Sequence, residues 1–134
     1  MIDHVSVAVR DLSEAEPFYA ALLSPLGMRK LREWPNEAIG FGKKYPEFWI
    51  NRRAAMARLA EDSGVHICLR ATDTRAVEDF HAAALKAGGT SDGAPGLRTH
   101  YHTSYYAAFI RDPDGNRIEA VTFLRGADHS PSRE

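Results

Sequence analysis

The chain has 134 residues, 17 basic against 18 acidic side chains and a net charge of −1, so a strongly basic or acidic overall balance is excluded. That balance, with no block of like charge, argues against nucleic acid or an anionic membrane as the main partner. One domain with a sizeable core fits this length; no apolar run approaches a membrane span, and the single cysteine, Cys68, points to a reducing, cytoplasmic setting.

Residues 2–27 repeat 62 positions later. Eight of the 26 aligned pairs are identical: His4/His66, Asp11/Asp73, Glu16/Glu78, Phe18/Phe80, Ala20/Ala82, Ala21/Ala83, Leu23/Leu85 and Gly27/Gly89. Such internal self-similarity is the mark of a duplicated supersecondary unit. Each copy reads as an alternating strand with a histidine near its start, then a helix with a central aromatic, then glycine. The duplication puts His4 and His66 on equivalent strands.

In chain order, Ile2–Val9 alternates, with Val5, Val7 and Val9 on one face and His4, Ser6 and Ala8 on the other. A helix is expected from Ser13, where Ser13–Glu16 matches a capping box, with Ala15, Phe18, Tyr19, Leu22 and Leu23 as its apolar stripe. Short strands follow at 28–33, 38–42 and 48–51, then a polar connector, partly helical, over 52–61. The second copy begins with a strand at 65–71. Its helix starts near Asp73 or Thr74 and carries Val77, Phe80, His81, Ala84 and Leu85. Residues 90–104 read as a long loop because of Gly93, Pro95 and Gly96. A hairpin closes the pattern, 105–111 with 116–124, turned by Asp112-Pro113-Asp114-Gly115. The expected order is β-α-β-β-β taken twice: an α+β domain over 1–126, with modules at 1–52 and 63–125, a connector at 53–62 and a flexible tail at 127–134.

The chemistry gathers around three residues. His66, Cys68 and Arg70 share a strand face, mirroring His4 in the first copy. Glu119 stands in an apolar run between Ile118 and Ala120. A buried carboxylate without a partner costs several kcal/mol, so a metal or another cation is expected beside it. Two histidines and a carboxylate make a ligand set for divalent metals. The alternative is an ion pair of Glu119 with Arg70, both histidines being ordinary barrel residues. The stretch from Arg98 to Tyr106 carries further candidates. They are His100, His102 and Tyr106 as catalytic acid–base or hydrogen-bonding groups, and Arg98 and Tyr101 as substrate contacts. Trp49, with Trp34, is expected to line the apolar side of a pocket.

His4, the Phe18-Tyr19 pair, His66 and the run Asp112-Pro113-Asp114-Gly115-Asn116-Arg117-Ile118-Glu119 together resemble the vicinal oxygen chelate superfamily of glyoxalases, bleomycin-resistance proteins and extradiol dioxygenases. The resemblance spans about residues 2–124. It implies two curled half-barrels and a divalent metal (zinc, nickel, manganese or iron(II)) on His4, His66 and Glu119. It also implies a small oxygen-chelating substrate, lyase, isomerase or dioxygenase chemistry, and in one branch glutathione as a co-substrate. A homodimer is expected, its modules paired within one chain or swapped between two, to cover exposed sheet edges. The glyoxalase pattern has a fourth, glutamate ligand in the first module. Here that strand reads Phe48-Trp49-Ile50-Asn51, and Ile50 is taken as the position matching Glu119. A binding protein without catalysis is the second reading.

Overall fold

The computed structural model describes residues 1–124; the tail expected at 127–134 lies outside the described residues. The chain builds β1 (Val5–Val9), α1 (Leu12–Leu23), β2 (Arg29–Trp34), β3 (Ala38–Gly42) and β4 (Phe48–Arg52), then β5 (Ile67–Arg70), α2 (Thr74–Lys86), β6 (Thr90–Leu97), β7 (Tyr105–Arg111) and β8 (Arg117–Phe123). The β-α-β-β-β order occurs twice. Each copy makes its own four-stranded mixed sheet, ordered β1-β4-β3-β2 and β5-β8-β7-β6, and neither sheet closes.

Pairing follows the duplication. β1 runs parallel to β4 with Ser6 opposite Trp49 and Val7 opposite Ile50. β5 runs parallel to β8 with Cys68 opposite Glu119 and Leu69 opposite Ala120. Alternation then gives each sheet one face for its helix and one open face. On the helix side of the first sheet Val9, Phe41, Phe48 and Ile50 are fully buried, with Tyr19, Leu22 and Leu23 of α1. Each such side chain contributes roughly 1.5–3 kcal/mol on burial. Phe80, Val77 and Ala84 of α2 do the same over Ile110, Ile118 and Ala120.

Three expectations are corrected. α1 begins at Leu12, because Asp11 rather than Ser13 caps it: Asp11 Oδ1 accepts from the backbone N–H groups of Ser13 (2.9 Å) and Glu14 (3.3 Å). The Ser13 hydroxyl donates to the same oxygen at 2.6 Å. Pro17 therefore lies inside the helix, on its exposed side. Residues 90–97 form strand β6 rather than loop, paired to β7 with two register breaks around Gly93 and Gly96. An edge strand with bulges accepts the glycines and Pro95 that a central strand would reject. The connector forms turns rather than helix.

Candidate metal and ligand site

Glu119 is the chemical centre of the second sheet. It sits in the middle of β8 on the open face and is only 2% exposed. His66, just before β5, donates from Nε2 to Glu119 Oε1 at 2.9 Å. The Tyr105 hydroxyl, at the start of β7, donates to Oε2 at 2.5 Å. Cys68, opposite Glu119 in register, lies 3.8 Å from the Tyr105 oxygen. Burial, followed by the charge of Glu119, pushes the Cys68 thiol up to about 12. Desolvation and the bond to Glu119 hold the Tyr105 hydroxyl firmly protonated. Arg70 is not the partner of Glu119 suggested by the alternative reading; its guanidinium lies 4.9 Å from the centre of the Phe123 ring.

Tyr105, which holds Glu119, is not among the residues that the sequence selects; the neighbouring Tyr106 is. Register explains the difference. Phe109 stands opposite Glu119 and Arg111 opposite Arg117, so residues 105, 107, 109 and 111 share the Glu119 face. Tyr106 falls on the α2 side, where its hydroxyl donates to Glu78 Oε2 at 2.8 Å. Counting back from the Asp-Pro-Asp-Gly turn reveals that parity in the sequence alone.

His4 precedes β1 as His66 precedes β5. It is exposed, with Nδ1 2.7 Å from Asp3 Oδ1, the oxygen that also accepts from the Tyr45 hydroxyl at 2.8 Å. These two bonds hold the Asp3 carboxyl below its ordinary range. In the neutral tautomer that donates from Nδ1, the His4 Nε2 carries the lone pair. His4 borders two clefts. One, of about 410 Å³, is shared with Lys43, Glu47, Cys68 and Arg70 where the modules meet. The other, of about 380 Å³, lies on the open face of the first sheet with Trp34, Trp49, Tyr45, Asn51 and Arg53. His66 and Glu119 are brought together, and His4 stands apart from them: among the described residues no three His, Cys, Asp or Glu side chains are arranged so that they could hold a metal ion.

The register also moves the position that matches Glu119 in the first module. Glu119 is opposite Cys68, which corresponds to Ser6 in the repeat, and Ser6 is opposite Trp49. Trp49, not Ile50, occupies that place; Ile50 is fully buried against the helix side. An indole stands where the glyoxalase pattern has a carboxylate.

The candidates at 98–102 are spread out. Arg98 donates to the Gly96 and Ala94 carbonyls at 2.9 and 2.6 Å and covers Phe109 at 5.4 Å. His100 packs on Tyr101 with ring centres 4.2 Å apart at a 50° tilt, and Tyr101 meets Tyr105 edge-on at 5.0 Å. His102 packs edge-on to Phe123 at 5.8 Å, and its Nδ1 accepts the backbone N–H of Ser104. None of the helices in the described residues is long and apolar enough to cross a membrane.

Residues 1–120 match the family described as the Glyoxalase/Bleomycin resistance protein/Dioxygenase superfamily. A glyoxalase/bleomycin resistance protein from Albidiferax ferrireducens T118 superimposes with a TM-score of 0.77 at 31% identity, covering 90% of this chain and 97% of that one. A glyoxalase/bleomycin resistance protein/dioxygenase from Alicyclobacillus acidocaldarius shares the fold at a TM-score of 0.65 and 18% identity, covering 97% and 96%. The fosfomycin resistance protein FosX of Listeria monocytogenes, a mutant form solved with Mn(II) and 1S,2S-dihydroxypropylphosphonic acid, has a TM-score of 0.68 at 14% identity, covering 92% and 90%. No curated protein matches the chain. Over nearly the whole described length, then, this chain belongs to the glyoxalase/bleomycin resistance protein/dioxygenase superfamily.

Proposed function

We propose that this protein is a divalent-metal-dependent enzyme acting as a lyase, isomerase or dioxygenase on a small substrate with adjacent oxygens. The observation that carries the reading is Glu119: a carboxylate in a β-strand core, only 2% exposed, whose two oxygens are held by His66 and Tyr105 on an open sheet face. The donor chemistry fits a divalent ion. His66 Nε2 and Glu119 Oε1 meet at 2.9 Å over a single proton, and a cation takes such a proton's place between an imidazole and a carboxylate. His66 and Glu119 would hold zinc, nickel, manganese or iron(II), with Tyr105 orienting the carboxylate from behind. When bound, the ion supplies Lewis-acid polarisation of the substrate's oxygens.

The third ligand in this reading is His4 of a second copy. Within one chain His4 stands apart, its Nδ1 engaged by Asp3 and its Nε2 left for a ligand. Two open faces of opposite character, one with the carboxylate and one with His4 and two indoles, complement each other across a two-fold axis. On the substrate side we assign Tyr101 and His100, because Tyr101 packs on Tyr105, and Tyr105 holds Glu119. Trp49 in the place of a fourth ligand supports the second reading, a small-molecule binding protein without catalysis.

Metal analysis after reconstitution tests the reading. One ion per chain is expected in the unaltered protein, with an affinity loss of at least about 100-fold in Glu119→Gln, beyond the ~10–100-fold typical of groups that only support a ligand. Full occupancy in Glu119→Gln, with the fold intact by circular dichroism, would remove Glu119 from the site and this reading with it.

A further inference from the structure

The open face of the first sheet carries a binding surface of its own. Trp34 and Trp49 lie with ring centres 5.4 Å apart at 42°, and Trp34 is 53% exposed although it ends a β-strand. Trp49 is fixed: its Nε1–H donates to the Pro46 carbonyl at 3.1 Å. It also lies flat across β3, where a Cβ on Gly40 would stand 2.9 Å from both the indole and Pro46. A glycine at the place that lets an indole lie down on the sheet makes a pre-formed aromatic floor, with the exposed Trp34 ring packed beside it. The cleft's volume of about 380 Å³ suits a one- or two-ring ligand. Its polar lining is Ser6, Asn51, Tyr45, His4 and Arg53, with no carboxylate among the lining residues. The nearby Asp3 is already engaged by His4 and Tyr45. Arg53, whose Nη1 donates to the Arg52 carbonyl at 2.8 Å, is the one lysine or arginine among the lining residues.

We propose that this cleft binds a planar aromatic ring bearing an anionic group, the ring lying against the paired indoles of Trp34 and Trp49 and the anion toward Arg53. Aromatic stacking and a guanidinium partner are the two recognition elements that the face presents. The proposal names the substrate class of the site described above and rests on the reading of the open faces as ligand-binding, not on the metal.

The chain has two tryptophans, so its proton–nitrogen spectrum contains two indole N–H signals, and both report on this cleft. Titration with 2-naphthoate should shift the Trp34 signal saturably, whereas 2-naphthamide (ring, no charge) and octanoate (charge, no ring) should each bind about 10-fold more weakly or worse. Trp34→Ala and Arg53→Gln, both at exposed positions, should lose naphthoate binding and keep their metal content. Naphthoate binding that persists without bound metal leaves this proposal standing even if the metal reading fails. Equal binding of octanoate overturns the aromatic assignment, equal binding of naphthamide overturns the anionic one, and no shift with naphthoate overturns the site.

Discussion

The hydroxyl of Tyr19, on the helix of the first module, donates to Asp112 Oδ2, in the hairpin turn of the second, at 2.5 Å. Both groups are buried, and Asn116 shares Oδ2 at 2.8 Å while the backbone N–H groups of Asp114 and Asn116 occupy Oδ1. This bond joins the modules through polar chemistry inside a largely apolar contact. Tyr19→Phe is expected to cost about 1.5–3 kcal/mol, the range for hydrogen bonds to charged groups. Urea denaturation measures the loss; metal content should not change, since neither residue faces Glu119.

Asp112 has no cationic partner in that network, and burial raises its pKa above 3.8 despite the donors around it. The folded state therefore holds this proton more tightly than the unfolded chain. Its contribution to stability is full below pH 3.8 and is lost as pH rises through the folded-state value. Asp112→Asn should thus compare worst with the unaltered protein at the acid end, and the gap should narrow toward neutrality. Denaturation series from about pH 3 to 7 check the sign.

Tyr105 is expected to act through Glu119. Tyr105→Phe leaves Oε2 without its donor, and metal affinity should fall about 10–100-fold, as for other groups that orient a ligand. Isothermal titration with the metal alone measures this; unchanged affinity would reduce Tyr105 to packing.

Gly40 should tolerate no side chain. In Gly40→Ala the new Cβ meets Trp49 and Pro46 at 2.9 Å, an overpacking that costs about 1–3 kcal/mol and tilts the indole off the sheet. A shifted Trp49 indole N–H signal with lowered stability is the expected result.

Much of the fold is legible in the sequence, and the misses share a cause. The repeat announces two β-α-β-β-β units, and the isolated carboxylate in the Ile118–Ala120 run announces the site. The start of α1 is ambiguous because Ser13 and Asp11 both suit an N-cap. The repeat holds the answer, since Asp73, equivalent to Asp11, caps α2 with its side chain on the Ala76 N–H. Residues 90–97 hide a strand because their glycines and proline read as loop, when pairing along an edge overrides them. Tyr106 and Ile50 are each one position away from the residue on the open face. In a strand an error of one flips the side chain to the other face, and register comes from partners far away in sequence. The distance of His4 from His66 and Glu119 is a tertiary property that no local pattern encodes.

The two-copy site makes the assembly itself a prediction. Sedimentation at micromolar concentration should give about twice the 14.9 kDa chain mass. A species at the chain mass would leave His4 without a route to Glu119.

At the centre of this reading, His4 of one copy joins His66 and Glu119 of another around one ion. His4→Ala and Glu119→Gln, each alone, should bind no metal tightly. A mixed dimer purified through two different tags, one chain carrying each change, combines an intact His4 with an intact Glu119 in one of its two sites. One ion per mixed dimer is the predicted result. No ion in the mixed dimer would contradict it.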